Sequence, residues 1–71
     1  MLENFLFNVN PDQKGFHEVH RENCSYLPAI ENRKKIGRFS SCKLAILIAK
    51  LEYLTDKFDG CFYCCNECHK G

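Results

Sequence analysis

The 71-residue chain lacks tryptophan and carries one methionine, two prolines and four glycines. So little Gly and Pro excludes a low-complexity or collagen-like polymer. Nor does it carry an excess of charge of one sign. Ten Lys and Arg stand against nine Asp and Glu, a formal net charge of +1, which excludes attraction of polyanions by overall charge. The longest apolar run, Leu44 to Ala49, is far too short to span a bilayer. The opening residues, Met1 to Asn10, have no basic start, and Asn interrupts their apolar positions. They are not read as a secretory signal. A cytoplasmic location with no membrane partner is the expectation. The length fits one domain, residues 1–71. A core this small needs a staple and leaves little room for a deep catalytic pocket.

Cysteine is what the chain has in quantity: six, with three His. In an oxidising compartment that density reads as a disulfide scaffold. In a reducing one, Cys with His points to a metal ion.

Phe5, Phe7 and Val9 alternate with Leu6, Asn8 and Asn10, the pattern of a strand with its apolar face at odd positions. Asn10 to Gly15 is turn chemistry, and Phe16 to His20 reads as the returning strand of a hairpin. Its register decides which of His17 and His20 faces the core. Arg21 to Lys35 reads as irregular, and Ile36 to Phe39 as a possible third strand. Ser40 or Ser41 can cap a helix in which Leu44, Leu47, Ile48, Leu51 and Leu54 recur at helical spacing. Ala45, Ile46 and Ala49 widen that stripe beyond what a surface helix needs. The expectation is a helix ending near Thr55 and Asp56 that is covered on several sides or meets a partner. The fold class is α+β: a small metal-stabilised domain with an N-terminal hairpin, one main helix and a C-terminal Cys-rich knuckle.

The chemistry concentrates in two places. His20-x3-Cys24 follows the hairpin, and the tail holds Cys61, Cys64, Cys65, Cys68 and His69. Two residues between thiolates let one tight turn aim both sulfurs at one ion. His20, Cys24, Cys61 and Cys64 make a Cys3His tetrahedron suited to zinc, with no open position and therefore a structural role. Cys65, Cys68 and His69 compete for places in that set. A preformed site needs the four ligand atoms within about 4 Å of one another. Cys42, on the first turn of an apolar helix, reads as a core thiol. His17 reads as a strand histidine with an ordinary hydrogen bond. A redox Cys-x2-Cys normally opens a helix after a strand; this one follows a helix near the end of the sequence, so no enzyme is expected.

Arg33, Lys34, Lys35, Arg38 and Lys43 form a run of cations with no acid among them, near Tyr26 and Phe39. Such a basic loop can hold phosphates and stack a base, or simply be solvated. Glu52, Asp56, Asp59 and Glu67 oppose Lys57 further on, so the molecule is expected to be polarised.

The block Val19-His-Arg-Glu-Asn-Cys-Ser-Tyr26, then Glu31-Asn-Arg33, Phe39-Ser-Ser41, a helix and Gly60-Cys-x2-Cys64 resembles the N-terminal metal-binding domain of the Ada DNA-repair protein. It is closer to the relatives of that domain appended to bacterial competence and nuclease proteins. The hairpin with His-Glu-Val-His and the Cys-His ending also resemble small stand-alone bacterial proteins of unassigned function. The likeness covers roughly residues 19 to 64. It implies zinc held by His20, Cys24, Cys61 and Cys64, and contact with DNA. In Ada the first ligand is the Cys that accepts a methyl group from a DNA phosphotriester. His20 stands there in this chain, so methyl transfer does not carry over. The stretch from Cys24 to Cys61 is longer than in those relatives. A zinc-binding module that contacts nucleic acid through residues 33–43 is the leading expectation. A protein-interaction or self-associating module using residues 44–54 is the alternative, and a thiol redox protein the third.

Overall fold

Phe5 and Phe7 stand two residues apart, so extended backbone sends both side chains to one face. In the computed structural model, which describes residues 1–71, they do so within β1, Glu3–Asn8. Asp12 organises the turn that follows. Its Oδ1 accepts from the N–H groups of Lys14 (2.9 Å) and Phe16 (3.0 Å), and Gly15 takes a φ of 86°, open to a residue without Cβ. β2, His17–Arg21, returns antiparallel, with Leu6 opposite His20 and Phe7 opposite Val19. The expected hairpin is present.

β3 spans Arg33–Phe39 and pairs antiparallel with the other side of β1. It begins three residues earlier than the sequence indicates. Arg33-Lys34-Lys35 has no apolar alternation because an edge strand can keep charge on both faces. β4, Phe58–Gly60, runs parallel to β2, with Glu18 opposite Asp59 and Val19 opposite Gly60. Three residues are too few for any periodicity to reveal. The sheet order is β3-β1-β2-β4. Helix α1, Cys42–Tyr53, joins the two edge strands across one face of the sheet.

Ser41 caps α1: its Oγ accepts from the N–H of Leu44 at 3.2 Å. The helix ends at Tyr53, with Leu54 in left-handed backbone at φ 53, slightly before the expected end. Its orientation corrects the sequence reading. Cys42, Ala45, Ile46 and Ala49 face the sheet and are buried. Leu44, Leu47, Ile48, Leu51 and Leu54, expected as the main stripe, are all exposed. The sheet supplies the reason. Phe5, Phe7 and Phe58 are buried, and Phe7 meets Phe58 edge-on at 5.0 Å and Tyr53 at 5.3 Å. Rings fill the interlayer space, so the helix must present small residues to pack against them.

Both faces of β1 are used. Phe5 and Phe7 meet the helix layer, while Leu6, on the opposite face, is also buried. Val9 lies beyond the strand and is exposed. Only 14 of the 71 residues are buried, which leaves this core dependent on a further constraint.

Because the interlayer space is full, Ala49→Leu is expected to cost about 1–3 kcal/mol through overpacking. Urea denaturation reads this as a lower midpoint at an unchanged slope. A neutral Ala49→Leu would contradict the observed helix orientation.

Candidate metal centre

Alternation along β2 sends Val19 to the helix side and His20 to the other. The parallel ladder continues one step past Gly60, where the N–H of Cys61 donates to the Val19 carbonyl at 3.0 Å. That step sets Cys61 beside His20 on the face away from α1. Both are buried, at 3% and 2% exposure. Cys24 comes from the turn after β2, where its N–H donates to the Arg21 carbonyl at 3.0 Å. Cys64 comes from the turn after β4, where the N–H of Cys65 donates to the Cys61 carbonyl at 2.9 Å.

These four residues converge. Cys24 Sγ lies 3.9 Å from Cys61 Sγ, and Cys64 Sγ lies 3.8 Å from His20 Nδ1. All four ligand atoms fall within 4.8 Å of one another. The closest pairs match the edges of a filled sulfur–nitrogen tetrahedron; the widest exceeds them by about 1 Å. The group can hold a metal ion.

The surroundings suit thiolates. The backbone N–H of Tyr26 donates to Cys24 Sγ at 3.4 Å, and that of Arg21 to Cys64 Sγ at 3.3 Å. Such bonds offset the excess negative charge of three thiolates around a divalent ion. On the far side of the imidazole, His20 Nε2 is 3.7 Å from Glu18 Oε1. A carboxylate there orients the ring with Nδ1 toward the sulfurs. Burial, helped by the charge of Arg33, holds the His20 imidazole below its usual range, so its lone pair is free at neutral pH. Burial pushes the Cys64 thiol up to about 12.

The knuckle is anchored by Arg21. Its Nε donates to Glu3 Oε2 at 3.0 Å, Nη2 to Glu67 Oε2 at 3.3 Å, and Nη1 to the Cys64 carbonyl. Gly60 lets the knuckle fold back upon the strand. A Cβ there would sit 2.5 Å from the Cys65 carbonyl oxygen and 2.8 Å from Cys68 Cβ. Above the loops, Tyr26 stacks on Tyr63 at 3.8 Å, holding together the turns that carry Cys24 and Cys64.

The remaining thiols lie elsewhere. Cys42 and Cys65 are fully buried in the helix-side core, and Cys68 packs against it. Burial raises the pKa of all three, that of Cys42 to about 11. His69 Nδ1 donates to the Gly60 carbonyl at 2.9 Å and lies 3.7 Å from Asp59 Oδ2. Cys65, Cys68 and His69 thus stand outside the group of four. His17 Nδ1 donates to the Asn8 carbonyl at 2.9 Å. Gly60, before Cys61, serves the turn its place in the sequence suggests, whereas Arg21 and Glu18 were not expected as site residues. The only sequence signal for them was their adjacency to the ligands.

The basic segment is an edge strand and not a loop. Pairing places Arg33, Lys35 and Arg38 opposite Asn8, Leu6 and Asn4, on the face that carries the metal group. Lys34, opposite Phe7, points the other way and covers the Tyr53 ring at 5.3 Å. Lys43 lies on α1. The five cations therefore divide between faces. Phe39 is partly buried against the core, and Tyr26 is engaged with Tyr63, so neither sits among them.

No family model, curated protein or solved structure matches the chain.

Cys64→Ser is expected to weaken ion binding by more than roughly the 100-fold that losing an outer partner costs. Cys68→Ser should leave it nearly unchanged. Equal losses in a competition titration would contradict the division of the thiols. Binding must release the Cys64 proton and competes with protonation of His20, so affinity should fall as pH is lowered from 8 to 6. An affinity independent of pH would contradict this ligand set.

Proposed function

We propose that the chain is a small, zinc-stabilised, non-enzymatic module that contacts nucleic acid. The convergence of His20, Cys24, Cys61 and Cys64 carries the first half of this reading. Three sulfurs and one imidazole suit zinc, and four protein ligands leave no position for water or substrate. Tying residue 24 to residue 61 closes 37 residues of chain, worth about 3 kcal/mol of loop entropy. That is substantial beside the ~5–15 kcal/mol stability of an ordinary domain.

A non-enzymatic role is supported by the thiols. Three are committed to the group of four, and Cys42 and Cys65 are buried, which raises their pKa and keeps them as thiols. A shallow surface hollow of about 200 Å³ is lined by Glu3, Asn4, Glu22 and Asn23, none of them a member of the ligand group. All six cysteines are free, which fits a reducing, cytoplasmic setting. No helix is long and apolar enough to cross a membrane. The Ada-like kinship belongs to the same proposal and rests on the motif between Val19 and Cys64.

For nucleic acid, Arg33, Lys35 and Arg38 are the working contacts. They share one face of an edge strand, with Arg33 and Lys35 about 7 Å apart. Lys34 and Lys43 lie on the helix side and stand outside this set. Tyr26 and Tyr63, at 59% and 62% exposure, offer a stacking surface on the knuckle.

Three phosphate contacts predict a log–log salt slope of about −2 for single-stranded and −3 for duplex DNA. Affinity should then drop roughly 20- to 40-fold between 50 and 200 mM salt. Lys35→Glu with Arg38→Glu should abolish binding while leaving the bound metal in place. No binding at 50 mM salt would overturn the nucleic-acid half and leave these cations as guards of an exposed strand edge.

A further inference from the structure

Three large rings stand in solvent on the knuckle. Tyr26, Phe62 and Tyr63 are each more than half exposed, and none is needed for the core, which Phe5, Phe7 and Phe58 fill. They form one cluster. Tyr26 and Tyr63 are stacked at 3.8 Å with their planes 19° apart, and Phe62 meets Tyr63 edge-on at 5.2 Å. A contiguous exposed cluster of this kind marks a contact surface. Tyr63 covers one face of Tyr26, and the exposure of Tyr26 leaves its other face open.

That open ring lies at one end of the cationic edge. Arg33 Nε donates to the Pro28 carbonyl at 2.8 Å, two residues beyond Tyr26. The guanidinium keeps both Nη groups for other acceptors. From there Arg33, Lys35 and Arg38 run along β3 on the face away from α1. Alternate residues of a strand are about 7 Å apart, close to the phosphate repeat of a stretched single strand. The ion pairs of the molecule belong to Arg21, His20 and His69, so none of these three cations is committed to a carboxylate. Glu18 and Asp59, paired across β2 and β4, repel phosphate from that side of the face and confine it to the β3 edge.

We propose that this surface takes a single-stranded nucleic acid, with phosphates on Arg38, Lys35 and Arg33 and one base stacked on the open face of Tyr26. The proposal rests on the nucleic-acid reading above and narrows it to unpaired strands. A duplex keeps the faces of its bases stacked inside and offers none to Tyr26. The chain also lacks a helix suited to a duplex groove: α1 turns Leu44, Leu47, Ile48 and Leu51 to solvent, and leucine neither donates to nor accepts from base edges. Every base has a π-face, so the ring tolerates any sequence. A partner recognised by charge alone would ignore the rings, and a neutral one would ignore the cations; a single strand uses both. The stack is set before binding, because Tyr26 rides on the turn of Cys24 and Tyr63 on the turn of Cys64.

Tyrosine emission reports the contact, since the chain has no tryptophan and a stacked base quenches the ring. The full chain is titrated at about 50 mM salt with oligothymidine, with the same strand annealed to its complement, and with an abasic strand of equal length. Oligothymidine should quench the emission and bind roughly fivefold or more tighter than either of the others. Tyr26→Ala should weaken its binding roughly 5- to 150-fold and remove most of the quenching, with the bound metal unchanged. Tyr26→Phe should retain the affinity. Equal or higher affinity for the duplex or the abasic strand overturns the single-strand proposal and leaves the nucleic-acid reading standing. So does a Tyr26→Ala variant that binds and quenches like the wild type. Absence of binding to all three overturns both.

Discussion

The register of β2 against β4 is the constraint on which the rest of the molecule depends. One further rung of that parallel ladder, from the Cys61 N–H to the Val19 carbonyl, sets a sulfur beside the His20 ring. A slip of one residue would exchange the two faces of β4. Cys61 would then enter the aromatic core and Phe58 would leave it. The short strand therefore decides both where the ligand group forms and whether the core closes. Gly60 makes that register compatible with the knuckle, because only a residue without Cβ admits the Cys65 carbonyl and Cys68 so close to the strand.

The same strand end sorts the six cysteines. Cys61 and Cys64 turn toward His20, while Cys65 and Cys68 turn toward the helix layer. Adjacent Cys64 and Cys65 thus part: Cys64 joins the ligand group while still touching the core, and Cys65 is buried within the core. Arg21 holds the turn in this posture by binding Glu3, the Cys64 carbonyl and Glu67 together. A core of nine buried residues gains from both halves of this device. One half fills volume with thiols that burial keeps protonated, and the other pins distant parts of the chain.

Much of this was legible from residue order. The hairpin follows from Phe5, Phe7 and the Asp12–Gly15 turn, because alternation and turn chemistry are local. Ligand spacing pointed to His20, Cys24, Cys61 and Cys64 but left Cys65, Cys68 and His69 as rivals, and only the fold separates the two sets. Two things were not legible. β4 is too short to carry a period. The rotation of α1 depends on whether the facing layer is made of rings or small side chains, and Ala45 and Ala49 look like weak hydrophobes until Phe7 and Phe58 are seen to occupy the space. The leucines that dominate the sequence pattern therefore point outward, against the usual inference from hydrophobic weight. The basic run misled similarly, since residues consecutive in a strand cannot share one surface.

The molecule has two faces with different physics. One carries the ligand group beside three cations of the edge strand, and the other carries uncovered leucines. X-ray absorption spectroscopy at the metal edge, on protein purified without added metal, probes the central feature directly. Zinc with three sulfurs near 2.3 Å and one nitrogen near 2.0–2.1 Å is the expected shell. Protein without metal, a four-sulfur shell, or a shell of nitrogen and oxygen alone would show that residues 20, 24, 61 and 64 do not act together as ligands.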